Sequence, residues 1–377
     1  MRAETLLLLA ALSAAAPAAA QDMGQRVTFG SRAGLRFTAH ADPFGTGAIL
    51  YDSGASDPVP GAATVILFHG VSPDPGVEFH VGRVYMSGWA AWQAEVHREP
   101  GGRFWARARL PAGSGPVRLW AFDRGITRDH EVEIYGVELV EDMGEAPEAS
   151  TARPPARPPV PDAPMPPVHG RAAWGARPAT EPYTPHESVW RVTVHHTDGR
   201  YTATLQESLD EARFIQEFHQ NGRKWIDIAY HYLIDEAGRV IEGRPEGVQG
   251  AHTLSNNAGN IGVTLMGKYH AAQDHEPTPA QFAALAELVR SIALRYGIDP
   301  LVEVKGHRNY KATDCPGDHA YARLPELRRL ADGGAPPAPP AFVRLPRVSP
   351  ELPFLLAPAS WDGQRQAASS AAPNASR

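Results

Sequence analysis

One proline-rich stretch divides this 377-residue chain into two parts with different periodicities. From about Met143 to Val168 it is dominated by Pro, Ala and Arg, including Arg153-Pro-Pro-Ala-Arg157-Pro-Pro. With little to bury and many prolines, 143–168 reads as an extended, semi-rigid linker. Before it, residues 24–142 alternate apolar and polar positions, as in Val77-Glu-Phe79-His-Val81, Phe104-Trp-Ala106-Arg-Ala108, Val117-Arg-Leu119-Trp-Ala121 and Val132-Glu-Ile134. Period-two runs separated by Gly/Pro/Asp breaks, with no helical stretch, predict an all-β sandwich. Trp89, Trp92, Trp105 and Trp120 fall here; they suit a sugar-stacking surface, but more often such residues fill a sandwich core. Ile66-Leu-Phe-His69-Gly70 resembles the oxyanion loop of α/β-hydrolases, but no Gly-x-Ser-x-Gly elbow accompanies it.

After the linker, residues 169–330 mix both periods. Val189-x-x-Val192-x-Val194 reads as a strand running straight into His195-His196, whose side chains then point to opposite faces. Thr204-x-x-Glu207 is a capping-box pattern opening a helix that should stop near Asn221-Gly222. Further strands are expected at Ile228–Ile234, Arg239–Glu242, Asn260–Met266 and Val302–Val304. A second helix should run from Thr278-Pro279 to Tyr296-Gly297.

The termini read differently. Arg2, an apolar run and Ala18-x-Ala20 have the layout of a secretory signal peptide over residues 1–20, so the mature chain is expected to be exported, without a membrane anchor. Residues 331–377 are Pro/Ala-rich and expected to be disordered. With 36 Lys+Arg against 42 Asp+Glu, the net charge of -6 argues against a nucleic-acid binder.

The one cysteine, Cys315, cannot form an internal disulfide, and a bare thiol outside the cytosol is an oxidation hazard. It lies eight positions after His307, in Gly306-His307-Arg308 and Thr313-Asp-Cys315-Pro-Gly, with Lys305 and Lys311 flanking. A thiolate with two imidazoles is a three-ligand zinc set that leaves a fourth position for water, which suggests a hydrolase.

These segments occur in a set. Arg171-Ala-Ala-Trp174-Gly-Ala-Arg177, Val194-His195-His196-Thr197, Trp225-Ile-Asp-Ile-Ala-Tyr230-His231-Tyr232, Gly250-Ala-His252, Asn260-Ile-Gly262-Val-Thr-Leu-Met-Gly267 and the His307/Cys315 loop follow one another in order. Over about Arg171–Arg329 the chain thereby resembles the zinc amidase family of bacterial and phage N-acetylmuramoyl-L-alanine amidases and animal peptidoglycan recognition proteins. The sandwich lies outside the resemblance. The resemblance implies an α/β fold, a mixed central β-sheet flanked by helices, and Zn2+ held by His195, His307 and Cys315. His196 would turn to the other face, into packing. Tyr230 would orient water or stabilise the oxyanion. Thr313 sits where many relatives carry a lysine and animal amidases carry threonine, so Thr313, or Lys311 reaching round, would assist electrostatically. His252 and Asn257 match groove positions open to substrate contact or structural bonding, and Trp225 matches a stem-peptide-reading position, here preceded by Lys224. His231 and His219 would be structural.

The implied partner is peptidoglycan, in the periplasm or outside the cell. The implied reaction is zinc-dependent hydrolysis of the amide joining the lactyl group of N-acetylmuramic acid to L-alanine. The alternative is a non-catalytic peptidoglycan sensor of the same fold, although such receptors typically lose the cysteine kept here. A zinc peptidase is disfavoured by the missing His-Glu-x-x-His. The sandwich is open to contact with glycan, with protein or with neither.

Overall fold

The alternating runs before the linker become antiparallel strands. They are β1 (Gln25–Arg26), β2 (Leu35–Ala39), β3 (Ile49–Ala55), β4 (Val65–Val71), β5 (Val77–Tyr85), β6 (Gly88–Gln93), β7 (Glu95–Arg98), β8 (Arg103–Arg109), β9 (Val117–Asp123) and β10 (His130–Val140). One sheet has the order β1-β10-β4-β8-β7, with β2 also on β10, and the other β3-β9-β5-β6. Phe68, Phe79, Phe104, Leu119 and Ile134 face inward and share one core. Phe79 stacks on Phe104 at 4.9 Å and takes the edge of Phe68 at 5.5 Å, so the predicted sandwich is present. The computed structural model describes residues 25–334 except 31–34, 43–44, 60–64, 86–87, 112, 141–144, 146–147, 150–151 and 274. The expected signal peptide (1–20) and the tail beyond 334 lie outside the described residues.

The tryptophans do not fill that core. Trp92 only partly packs against it. Trp89 and Trp120 lie edge to face at 6.0 Å, and Trp120 lies so close over Gly82 that a Cβ there would fall 2.4 Å from the indole. On β9 the buried positions are Val117, Leu119, Ala121 and Asp123, which turns Trp120 to the outer face. Trp105 is buried with Val65, Leu67 and Val140 on the other face of the first sheet, against Leu209, Ala212, Phe214 and Phe218. Strand β4 is therefore covered on both faces. An antiparallel sheet normally shows one face to water.

The second part is built on a mixed sheet, β11-β14-β13-β15-β12-β16. Its strands are β11 (Val168–His169), β12 (Arg191–His196), β13 (Tyr232–Ile234), β14 (Val240–Glu242), β15 (Asn260–Leu265) and β16 (Val304–Gly306). Only β13–β14 is antiparallel. Helix α1 (Leu205–Glu217) covers one face and α2 (Pro279–Tyr296) the other. Both helices start as the sequence predicts. The Thr204 hydroxyl accepts from Glu207 N while the Glu207 carboxylate accepts from Thr204 N, a capping box in full. Thr278 caps α2 with Pro279 in its first turn, and Gly297 ends it at φ 66°, a left-handed conformation that favours glycine. Helix α1 passes into a π-helical turn, Phe218–Gly222, near the expected stop.

Two predicted strands are shorter or shifted. Ile228–Ile234 is a strand only over Tyr232–Ile234, because side chains take the hydrogen bonds before it: Ile228 N donates to Asp227 Oδ1 (2.8 Å) and Ala229 N to His219 Nδ1 (3.1 Å). The strand expected at Val302–Val304 starts only at Val304. Asp299 caps a short helix, α3 (Pro300–Glu303), with Pro300 in its first turn. Helices α4 (Asp318–Ala322) and α5 (Leu324–Ala331) complete the fold.

The proline-rich stretch lies along the α/β part. Arg157 N donates to Gly297 O (2.9 Å), Val160 N donates to Leu294 O (2.8 Å), and Ala163 is buried. All the described residues fall in one compact unit, Met1–Ala335. Within it the sandwich and α/β part are tied by Arg103, whose guanidinium grips the Glu211 carboxylate through Nε (2.9 Å) and Nη2 (2.6 Å), both side chains almost wholly buried. Among the described residues no helix is long and apolar enough to cross a membrane.

Candidate metal centre and active site

The sheet order explains how ligands so distant in sequence meet. Strands β12 and β16 are parallel neighbours, Val194 opposite Gly306. The next residues along each chain, His195 near the C-terminal end of β12 and His307 just after β16, are thus side by side, ring centroids 4.7 Å apart. Ligand sites of parallel sheets gather at this end. Gly306 is closely packed: a Cβ there would lie 2.9 Å from the Tyr321 ring and 3.0 Å from Leu324, so a larger residue requires those side chains to shift. The loop then returns Cys315 to His195. Arg308 staples the loop, its backbone N donating to Cys315 O (3.1 Å) and its guanidinium to Asp314 O (2.5 Å) and Asp318 (2.9 Å). Gly317, at φ 89°, follows the cis Cys315–Pro316 bond, and a Cβ on it would strike the Tyr269 backbone at 2.5 Å.

His195, His307 and Cys315 each offer one donor atom, all within 4.8 Å of one another. The Cys315 Sγ is 3.4 Å from His195 Nδ1. Tetrahedral zinc with bonds of about 2.1 Å to nitrogen and 2.3 Å to sulfur separates its ligand atoms by roughly 3.5 Å. Both ring nitrogens of the fully buried His307 lack a hydrogen-bond partner, a cost that a bound cation removes. Burial holds His195 well below the usual imidazole range and His307 down to about 4, leaving lone pairs free. It also pushes the Cys315 thiol up to about 12, so a thiolate at neutral pH needs a cation beside it. These residues fit zinc.

His252 stands behind the ligands. His195 Nε2 is 3.0 Å from His252 Nδ1, and His252 Nε2 is 3.2 Å from Asn260 O. With His195 Nδ1 turned to the thiol, Nε2–H donates to His252, which passes its own N–H to the Asn260 carbonyl. Such a chain fixes the tautomer and direction of a metal-binding imidazole. The ring lies flat on Gly262, where a Cβ would be 2.6 Å away. Asn257 Oδ1 accepts from His252 N and Thr253 N (2.8 Å each), holding that turn. Trp225 is buried beside Tyr230 with Arg223 over its ring. None of these three candidate groove residues lines the cavity that opens on Cys315.

That cavity, of about 650 Å³, does contain Tyr230, Thr313, Lys311, His307 and Cys315. Burial raises the Tyr230 phenol far above its ordinary range, so it stays protonated and can donate; its ring is 5.3 Å from that of His195. Thr313 Oγ1 accepts from Cys315 N at 3.3 Å, which leaves its hydroxyl proton available. Lys311 is lowered by burial to about 8. His231 accepts from Gly262 N and bonds Val248 O, a structural place. His219 also lines the cavity while bracing Ala229 N. His196, expected to turn into packing, borders the cavity and forms a second group with Asp198 and His270. Arg26 of β1 already sits against that group, 3.4 Å from Asp198.

A family profile described as N-acetylmuramoyl-L-alanine amidase matches residues 185–318. The chain is 32% identical over 157 residues to peptidoglycan-recognition protein SC2 of Drosophila melanogaster, covering 42% of this chain and 84% of that protein. It is 34% identical over 163 residues to the N-acetylmuramoyl-L-alanine amidase of Homo sapiens, covering 42% of this chain and 28% of that one. The solved structure of Drosophila peptidoglycan recognition protein SD is 30% identical, with a TM-score of 0.40 and coverage of 42% of this chain and 92% of that chain. With its histidine, tyrosine and cysteine positions gathered at one cavity, the chain belongs to the family of N-acetylmuramoyl-L-alanine amidases and peptidoglycan recognition proteins.

Proposed function

We propose that the protein is a zinc-dependent N-acetylmuramoyl-L-alanine amidase that cleaves the bond between the muramyl lactyl group and L-alanine in peptidoglycan. One observation carries the reading: in a buried two-histidine, one-cysteine donor set, His307 and Cys315 line a cavity that also holds a protonated phenol and a hydroxyl, with His195 directly behind them. A pure recognition surface has no use for an open three-ligand site. Zinc held there supplies Lewis acidity toward a carbonyl and water of lowered pKa.

The protein's own groups do the rest. His252 fixes the direction of His195, and the Arg308 staple fixes Cys315. Tyr230 directs its O–H toward the charge that grows on the scissile carbonyl oxygen, an interaction strongest in the transition state. Thr313 offers a second hydroxyl on the same loop, and Lys311, half-buried beside it, adds positive character to that side. The low-dielectric surroundings strengthen each contribution. Residues 1–20 would direct export to where peptidoglycan lies.

Digestion of purified sacculi, with products resolved by mass spectrometry, tests the proposal. Stem peptides beginning at L-alanine, lost on chelation and restored by zinc, are expected. Binding to sacculi without cleavage would favour the sensor reading.

A further inference from the structure

The cleft's second wall does not come from the α/β part. Arg26, Thr28, His69, Arg103, Gly136 and Glu138, all from the first sheet of the sandwich or the turn after β1, line the same cavity as Tyr230 and Cys315. Ion pairs hold this wall in place. Arg103 grips Glu211, Glu138 pairs with Arg223, and Arg26 reaches Asp314, next to Cys315, at 3.0 Å. Each of the three guanidinium groups facing this wall is therefore matched by a carboxylate.

His69 is different. It stands on β4, in the Ile66–Gly70 run that the rest of the site leaves unused. Its side chain is only 7% exposed, and its Nδ1 has no hydrogen-bond partner. Phe218 lies 5.0 Å from its ring centroid, Tyr135 5.9 Å and Phe214 6.5 Å. From Phe218 the aromatic path continues through His219 and Tyr230 to His195. Burial, with Arg103 nearby, keeps the imidazole neutral. A buried polar atom without a partner is costly unless a partner arrives.

We infer that His69 contacts substrate, hydrogen-bonding an uncharged acetamido or hydroxyl group of the muramyl sugar, and that the sandwich sheet is the glycan-side wall of the amidase cleft. A neutral imidazole beside apolar ring faces matches a sugar, which presents hydroxyls at its edge and C–H groups on its face. A stem-peptide carboxylate would instead call for an unmatched cation on this wall. The inference rests on the amidase reading and adds to it which part of the substrate the sandwich reads.

The test uses the full-length, zinc-loaded protein and two substrates: N-acetylmuramyl-tripeptide and the same tripeptide carrying only the D-lactyl group. His69→Phe keeps the packing and removes the hydrogen bond. It is expected to raise KM for the muramyl substrate about tenfold, typical of one such bond, with kcat and zinc content unchanged and the lactyl peptide unaffected. His69→Asn should recover part of the loss, and it carries the comparison if His69→Phe fails to fold. Equal losses on both substrates, or no loss on either, overturn the inference while leaving the amidase reading intact. If wild type cleaves neither compound, the amidase reading falls, and the same contrast read as calorimetric affinities still decides the role of His69. Failure of wild type to bind either compound overturns both.

Discussion

Replacing His252 with alanine separates two roles that look alike in sequence, reading substrate and supporting the metal. The imidazole is fully buried, 3.0 Å from His195 Nε2 and 3.2 Å from Asn260 O, and absent from the cavity lining. His252→Ala leaves the His195 Nε2–H only the longer contact to Thr253 Oγ1 (3.4 Å) and loosens the hold on the ring. Losing such an outer partner typically weakens metal affinity about 10- to 100-fold, or about 1.4–2.8 kcal/mol at one decade per 1.4 kcal/mol. A zinc titration against a chromophoric chelator at pH 7.5 reads this directly. Kinetics at saturating zinc should then show KM for muramyl-tripeptide close to wild type. An unchanged zinc Kd with a raised KM would refute the reasoning and return His252 to the groove.

Three further outcomes are expected. Tyr230→Phe should lower kcat by about 10²-fold, the usual effect of losing one oxyanion donor, with zinc content unchanged; full activity would remove the phenol from the chemistry. Glu211→Gln should destabilise the protein by about 3–5 kcal/mol in urea unfolding, because it strands the buried Arg103 guanidinium. Arg103→Met/Glu211→Leu should recover most of that, and a single-variant cost below about 1 kcal/mol would contradict the buried tie. His307 is held neutral with its pKa lowered to about 4, so its contribution is present above the unfolded value near 6.5 and lost as pH falls toward 4. The metal-free protein should therefore lose stability over that window more steeply than His307→Gln, and parallel profiles would refute the assignment.

What the sequence shows of this site is what local pattern controls. A strand ending in His195-His196, a capping box at Thr204-x-x-Glu207 and a Gly-His-Arg turn are read residue by residue, and the family motifs order them. Long-range contacts are not visible in this way. His252 and Asn257 carry the right residue types for a groove, yet two ring nitrogens and one amide oxygen commit them to bracing β12 and the turn before β15. Arg26, His69 and Glu138 enter the cleft from a region outside the family motifs. One signal was available. Val65-Ile-Leu-Phe-His-Gly does not alternate, and in an antiparallel sheet that continuity marks a strand covered on both faces. The same reasoning explains Trp105, which is buried outside the sandwich core because α1 covers that face. Trp120 faces outward because β9 gives its inner positions to Val117, Leu119 and Ala121, and Trp89 of β6 packs edge to face against it.

The central claim is that Cys315, with His195 and His307, holds a zinc that cuts one amide bond. Digestion of purified sacculi by wild type and Cys315→Ser, with muropeptides resolved by mass spectrometry, tests it most directly. Wild type should release stem peptides beginning at L-alanine and leave the lactyl group on the glycan, whereas Cys315→Ser should release none while still binding the sacculi. Equal release by the two proteins, or cuts within the stem peptide, would contradict the account.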